Sequence, residues 1–356
     1  MNSGLKIDLH IHSCASAAKD GKKVKNNTIQ NLPILINKLN LQGVNICSVT
    51  DHDTFSYEIY STLKAAETQN GSIKKVLPGV EFSVCFEAND GESKVIHIVT
   101  IFSDEDSLKV QSIESILKSI RPDVQEAYSE ECFLRILRTI DLDTILIAHQ
   151  KNSLSSTKPR KNDANSLGYD KFHEFVYSDY FEAFEFKNRR NEILNRNYLL
   201  QANLEDRVRF VTGTDCHDWS VYPREDSSDK LPDFPYTYAK CLPTFKGLVM
   251  AITDSSRLKM VNSFFNVEKF SLECITLNTQ GKHLTIPLSK GINVIIGDNS
   301  IGKSLLLHAL TGFEKSGDKL PANIKKGYKN YIDKHKLQIP KQIPLENVFY
   351  FDMQGE

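Results

Sequence analysis

Six of the ten histidines stand at or just beyond the ends of short β-like runs, and carboxylates accompany them. Asp8, His10 and His12 close the first run. On a strand, positions 10 and 12 share a face, so two imidazoles converge. Asp51, His52 and Asp53 close the second run, and Glu81 lies in the segment PGVEFS. His97 lies in VIHIV, His149 ends ILIAH, and Asp215 and His217 follow FVTGT. Neutral imidazole and carboxylate suit Zn, Mn or Fe. Two or three such ions need about eight to ten protein ligands, and this set supplies eight: His10, His12, His52, Glu81, His97, His149, Asp215 and His217. A lone histidine on an apolar strand, such as His97, is more often a core residue, and Asp51 alone could cap a helix. Two paired sets at strand ends, joined by the other strand-end histidines, are hard to explain that way.

The elements that must position these residues alternate. β-like runs cover Leu5–His12, Val44–Thr50, Val76–Phe86, Val95–Phe102, Thr144–His149, Phe181–Phe186 and Arg209–Gly213. Helical patterns fall between them at Thr28–Leu41, Phe55–Gln69, Asp106–Ile120, Val124–Ile140 and Arg189–Ala202. This alternation predicts an α/β fold with a parallel sheet or barrel, in which the strand C-termini share one mouth. Lys151–Gly168 and Trp219–Pro235 read as loops able to cover that mouth.

Composition bounds the function. Lys plus Arg number 44 against 45 Asp plus Glu, a net charge of −1, which excludes a generally basic, histone-like nucleic-acid binder but not a local basic groove. No apolar run reaches the roughly 18 residues a membrane helix needs, and the N-terminal segment has no signal-peptide apolar stretch. Seven scattered cysteines without a CxxC pair predict a reducing cytoplasm and neither a disulfide framework nor a zinc knuckle.

DLHIHS, TDHDT, PGVEFS, the histidine of VIHIV, the AH of ILIAHQ and GTDCH resemble, in order, the motifs of the PHP (polymerase and histidinol phosphatase) domain over roughly residues 5–255. The resemblance implies a distorted (β/α)7 barrel whose two- or three-metal centre hydrolyses phosphoesters. It makes His10, His12, Glu81 and Asp215 the catalytic set holding one metal. Glu81, His97 and His149 hold a second, with Glu81 bridging, and His52 and His217 help hold a third. The family's further histidine, six residues after His12, is here Ala18, which leaves that place to Asp20 or water. Asp8 is expected behind the ligands, orienting a histidine through its ring N–H. Asp51 is expected there too, and Asp53 either there or capping a helix at Thr54. Lys151, Arg160, Lys187, Arg189 and Arg190 follow ligand-bearing runs and are candidates to bind substrate phosphate. Glu185 is a strand-end carboxylate without an assigned role.

The pattern changes near Val261, which puts a boundary at 258–268 between a domain of residues 1–260 and one of 261–356. Ser271–Leu277 and His283–Leu288 read as paired strands around a turn at Thr279, Gln280 and Gly281. Gly297 to Ser304 fits GxxxxGK[ST], after the apolar run 292–296 and before the helical run Leu305–Leu310. That context predicts a phosphate-cradling loop in which Gly297, Asn299 and Gly302 line the nucleotide, Lys303 reaches its phosphates and Ser304 holds Mg²⁺. The stretch resembles ABC-type ATPases of the SMC and RecF kind. Gln354, 51 residues after Lys303, resembles their Q-loop glutamine. Residues 262–356 read as the first lobe of such a head, with ATP and Mg²⁺ as ligands, and the chain as part of a longer protein. Weak nucleotide binding at best and no ATP hydrolysis are expected of this chain alone. Residues 315–341 carry eight lysines against two aspartates, a segment more in keeping with a solvated loop than with a nucleic-acid contact.

A PHP domain preceding an SMC-like ATPase resembles the bacterial TrlF-like proteins. The pairing implies a metal-dependent nuclease acting on DNA or RNA, governed by the ATPase, in nucleic-acid processing or phage defence, with heads that pair as a homodimer and no membrane partner. Two alternatives remain at this point: a small-molecule phosphatase of the histidinol phosphate or nucleotide type, and a non-catalytic nucleic-acid-binding scaffold.

Overall fold

The computed structural model describes residues 4–68, 71–87, 91–124, 126–150, 180–186, 194, 197–201, 209–230, 234–260, 274–279, 282–288 and 293–298. The chain divides into two units, one spanning Ser3–Phe265 and one holding Asn266–Glu356.

In the first unit, β1 (Leu5–Asp8) pairs in parallel with β2 (Ile46–Cys47). Two residues later the chain re-enters strand as β3 (Thr50–His52). The next segment splits the same way, β4 (Lys75–Val76) pairing with β2 and β5 (Gly79–Glu87) with β3. Gly79 lies at the split, where a Cβ would sit 2.6 Å from Thr50 Cγ2. No side chain fits there.

β6 (Ser93–Phe102) runs antiparallel to β5, with Ser83 opposite His97 and Glu81 opposite Val99. β7 (Tyr128–Ser129) adds to β5. β8 (Thr144–Ala148) is antiparallel to β6, and β9 (Ala183–Phe186) and β10 (Phe210–Thr212) follow in parallel. The expectation of an all-parallel sheet is therefore corrected at β6. Only residues 88–92 connect β5 to β6, too few for the crossover a parallel neighbour requires. β11 (Thr237–Ala239) and β12 (Leu258–Lys259), both unforeseen, add antiparallel strands beyond β1. The strand orders are β12-β11-β1-β2-β4 and β10-β9-β8-β6-β5-β3, with β7 beside β5.

The second sheet curls, and the segment after β1 joins its edges. Thr50 N donates to Ile11 O at 2.7 Å on one side. On the other, Asp215 N donates to His10 O at 2.8 Å and His12 N to Cys216 O at 2.9 Å. His10 and His12 thus stand between the ends of β3 and β10. The result is a mixed α/β partial barrel.

Helices cover this sheet because their apolar residues recur at helical spacing, and side chains cap the starts of several of them. α1 is the single turn Ala17–Asp20. α2 (Leu32–Gln42) buries Leu32, Leu35 and Leu39 and ends at Gly43, whose φ of 69° suits glycine. α3 (Tyr57–Lys64) is capped by Ser56, α4 (Ser107–Ser119) by Asp106 and α5 (Glu130–Ile140) by Ser129. Expected from Val124, α5 begins at Glu130 instead. Asp123 takes the N–H and hydroxyl of Ser129 at 2.7 and 2.6 Å, and Val124 and Ala127 bond each other across a turn before it.

Two apolar clusters form the core. Phe82, Val84, Ile96 and Ile98 pack outward on Ile113, Phe133 and Ile136 of the helices. Val99, Ile101, Ile145, Ile147, Ala183 and Val211 form the other cluster with Ile7, Leu9 and the helix Phe245–Ile252. Strand alternation puts His97 on the face of Val99 and Ile101, His149 on that of Ile145 and Ile147, and Glu185 on that of Ala183. The polar layer therefore rests on an apolar base.

In the second unit, β13 (Cys274–Thr279) and β14 (Lys282–Pro287) form the expected hairpin, Thr279 opposite Lys282. The run expected as a buried strand differs. Residues 293–298 form no strand, and Val294 and Ile296 are 74% and 87% exposed. A buried strand needs neighbours on both sides, and the hairpin is the only sheet of this unit among the described residues. Gly297 is exposed there. Asn299, Gly302, Lys303, Ser304 and Gln354 lie outside the described residues. No helix among the described residues is long and apolar enough to cross a membrane.

Candidate metal centre

His10, His12, Glu81 and Asp215 are all buried and meet at one point. His10 Nε2 lies 3.0 Å from Glu81 Oε2, 3.1 Å from His12 Nε2 and 3.6 Å from Asp215 Oδ1. His12 Nε2 lies 3.3 Å from Glu81 Oε2 and 3.2 Å from Asp215 Oδ1. Four N and O ligands arranged tetrahedrally at 2.0–2.2 Å from an ion stand about 3.4 Å apart. His10 and His12 stand at about that spacing from each other and from both Glu81 and Asp215.

Glu81 also faces a second group. Its Oε1 is 3.0 Å from His97 Nδ1, while Oε2 is 3.2 Å from His52 Nδ1. His149, expected beside His97 and Glu81, is placed differently. Its ring packs edge-on against His10 at 5.1 Å, and its Nδ1 lies 3.5 Å from Glu185 Oε1. The His97 and His149 ring centroids are 6.0 Å apart.

A third group forms around Asp20. Its Oδ1 lies 3.3 Å from His217 Nε2 and 3.4 Å from His52 Nε2, and its Oδ2 lies 3.6 Å from His12 Nδ1. Ser16 Oγ donates to the same carboxylate at 2.5 Å. The place left open by Ala18 is thus taken by a carboxylate two residues on, presented by the single turn α1. No motif marks Asp20 in the sequence.

The residues fit divalent metals. The buried donors are imidazole nitrogens and carboxylate oxygens, the set that divalent cations take, and Nδ1 of His52 and of His149 is buried without a hydrogen-bond partner. His12, Asp20, His52 and His217 bring ligand atoms within 4.8 Å of one another, as do His10, His12 and Glu81, and His52, Glu81 and His97.

The electrostatics match this crowding. Burial disfavours charge on Glu81, yet His52, His10 and His97 outweigh it and hold the carboxyl well below the ordinary range. Burial likewise opposes protonation of His10, but Glu185, Glu81 and Asp215 hold it well above its ordinary value. Burial also acts against His52, which Glu81 and Asp20 nevertheless raise to about 9. His12, where burial dominates, falls to about 4.

Asp8 and Asp51 are buried, and they and Asp53 bind backbone N–H groups and side-chain hydroxyl or ammonium groups, not a ligand imidazole. Asp8 does not orient an imidazole. It accepts from His10 N at 3.3 Å, Thr214 N at 3.1 Å, Thr214 Oγ1 at 2.8 Å and Tyr222 Oη at 2.6 Å. It thereby ties the His10 segment to the turn that carries Asp215. Asp51 takes Ser13 N and Oγ, both at 2.5 Å, and fixes the turn after His12. Asp53 accepts from Ser83 N at 2.7 Å and from the Lys19 ammonium, while Ser56 caps the helix. Asp53 and Asp215 have φ of 53° and 51°, strained backbone at the edge of the site. Asn27 and Trp219, not foreseen, hold His12 O at 2.9 Å each, and Asn27 also bonds His217 O at 3.1 Å. Lys151, Arg160, Lys187, Arg189 and Arg190 lie outside the described residues.

No protein-family model matches the chain, and no curated protein is significantly similar to it. Among solved structures it is similar to PsfC from Pseudomonas syringae PB-5123, at 13% identity over 74% of this chain and 94% of that one, with a TM-score of 0.38. It is also similar to an amidohydrolase from Chromobacterium violaceum with bound sulfate and no metal, at 18% identity over 64% of this chain and 92% of that one, with a TM-score of 0.35.

Proposed function

We propose that the chain is a metal-dependent phosphoesterase that cleaves nucleic acid and is governed by an ATPase of which the second unit is part. The observation that carries the metal-dependent reading is Glu81, whose Oε2 faces His10, His12 and His52 while its Oε1 faces His97. One carboxylate shared between neighbouring positions is the geometry that holds a pair of ions. The chemistry such a pair supplies is a water of lowered pKa and a clamp on phosphoryl oxygens.

The chain's own residues supply the rest. His10, His12 and Asp215 complete the set around one oxygen of Glu81, and His97 faces the other. Asp20, His52 and His217 offer a further position. Asp8, Asp51, Asn27 and Trp219 fix the backbone from which these side chains project.

Phosphoester rather than amide chemistry is supported by the ordered motifs that resemble the PHP domain. Nucleic acid as substrate is supported by the glycine loop of the SMC and RecF type, a fold-level analogy. The full complement of ligands weighs against a non-catalytic scaffold.

The test is a panel with Mn²⁺ comprising single- and double-stranded DNA, RNA, mononucleotides and histidinol phosphate. Cleavage of a polynucleotide, abolished by His10→Ala and by Asp215→Ala, is the expected outcome. Activity that survives both substitutions refutes the site. Hydrolysis of the small phosphoesters alone refutes the nuclease.

A further inference from the structure

Glu185 sits on β9 and is buried, and its Oε2 lies 2.7 Å from His10 Nδ1. This is the shortest contact any carboxylate makes to a histidine ring of the centre among the described residues. The opposite nitrogen of His10 faces His12, Glu81 and Asp215. One imidazole cannot offer both nitrogens as lone pairs while it keeps a proton.

We propose that Glu185 is a positioning residue of this centre. It accepts the Nδ1 proton of His10 and so commits Nε2 to the cation. The proposal rests on the metal-dependent reading above. It also decides between two roles for the carboxylate. His10, His149 and Glu185 bring ligand atoms near one another and could themselves be read as a metal position. With His10 Nε2 directed at the four-residue set, Nδ1 carries hydrogen and Glu185 is its acceptor, not a co-ligand. A carboxylate behind a ligating histidine fixes the ring's tautomer and orientation and raises its basicity.

Two further observations agree. Gly213 leaves the room, since a Cβ there would lie 3.0 Å from the Glu185 carboxyl carbon and 3.1 Å from its Oε1. The second oxygen of Glu185 faces His149 Nδ1 at 3.5 Å, so one carboxylate stands beside two strand-end histidines. The role foreseen for Asp8 belongs to Glu185.

The experiment uses the full chain, stripped of metal and titrated with Co²⁺, with a chelator as competitor and the visible absorption of bound cobalt as a second readout. Glu185→Ala is expected to weaken cobalt binding about 10- to 100-fold and to alter the absorption per bound ion. Glu185→Gln, which keeps an acceptor but not the charge, is expected to fall between Glu185→Ala and the parent. If Glu185→Ala does not fold, Glu185→Gln carries the test alone. Unchanged affinity and spectrum overturn the proposal. So does a lowered melting temperature of the metal-free protein with an unchanged cobalt spectrum, which is the mark of a purely structural role. Failure of the parent chain to bind cobalt refutes the metal centre itself, a result distinct from the other two.

Discussion

Gly213 and His10 are packed so closely that a Cβ at position 213 would lie 2.6 Å from His10 Cβ. Both partners of that contact are backbone-anchored, so neither can swing away. The glycine is what allows the chain after β10 to pass beside the ligand segment and place Asp215 next to His10. Gly213→Ala is therefore expected to push the two segments apart. The overpacking should cost about 1–3 kcal/mol of stability. Urea unfolding checks that figure. Metal content after dialysis checks the companion expectation that ions are lost at the four-residue set.

Glu81 acts on four histidines at once. His10, His12, His52 and His97 all lie within 3.3 Å of its oxygens. Glu81→Gln keeps the shape and removes the charge. Since both groups share this carboxylate, both are expected to lose their ions together, where a residue serving one group would release one. Elemental analysis of the purified variant distinguishes the two outcomes. Without the Glu81 charge, His52 should also titrate well below about 9, the value that Glu81 and Asp20 now sustain against burial. Histidine NMR on metal-free protein reads that shift.

Much of the site was legible because strand alternation carries direct spatial information. His10 and His12 share a face by periodicity alone, and the other ligands stand where apolar runs end. Strand direction is not encoded that way, so the antiparallel β6 was missed although its length and residues were clear. β11 is three residues long and gives no periodic signal. Glu185 was visible as a strand-end carboxylate, but its partner is 175 residues away and only folding pairs them. Asp8 misled for a related reason. A buried carboxylate beside ligands reads as an imidazole partner, and the donors that claim it, Thr214 and Tyr222, come from a distant loop.

Asp20 tests whether a carboxylate has replaced a histidine in the third group. Its contacts to His52 and His217 are of ligand-to-ligand length, and burial, which opposes its charge, is outweighed by hydrogen bonds from those two histidines, so its carboxyl is depressed. Asp20→Ala is expected to remove one bound ion and leave those held through Glu81. Asp20→His should restore it. Loss of every ion from Asp20→Ala would instead mean that Asp20 holds His12 in place for the first group.

Asp8 gives the chain a pH dependence of predictable sign. Burial raises its carboxyl from 3.8 to about 6, against hydrogen bonds from Tyr222 and Thr214 that pull it down. Below pH 3.8 the group is protonated in both folded and unfolded chains and has no effect. Between that value and about 6 the unfolded chain has lost the proton and the folded chain has kept it, so stability falls as pH rises. Above about 6 the loss is complete. Two pH units correspond to about 3 kcal/mol, an upper bound for one group. Asp51, raised to about 6 chiefly by its burial, adds a slope of the same sign. Asp8→Asn removes only its own share. Its baseline stability should drop, because an amide cannot accept from Thr214 and Tyr222 together as a carboxylate does. Urea titrations of metal-free protein from pH 4 to 7 should therefore show the variant's deficit shrinking as pH rises. A deficit that stays constant across that range would place the Asp8 carboxyl at its ordinary value.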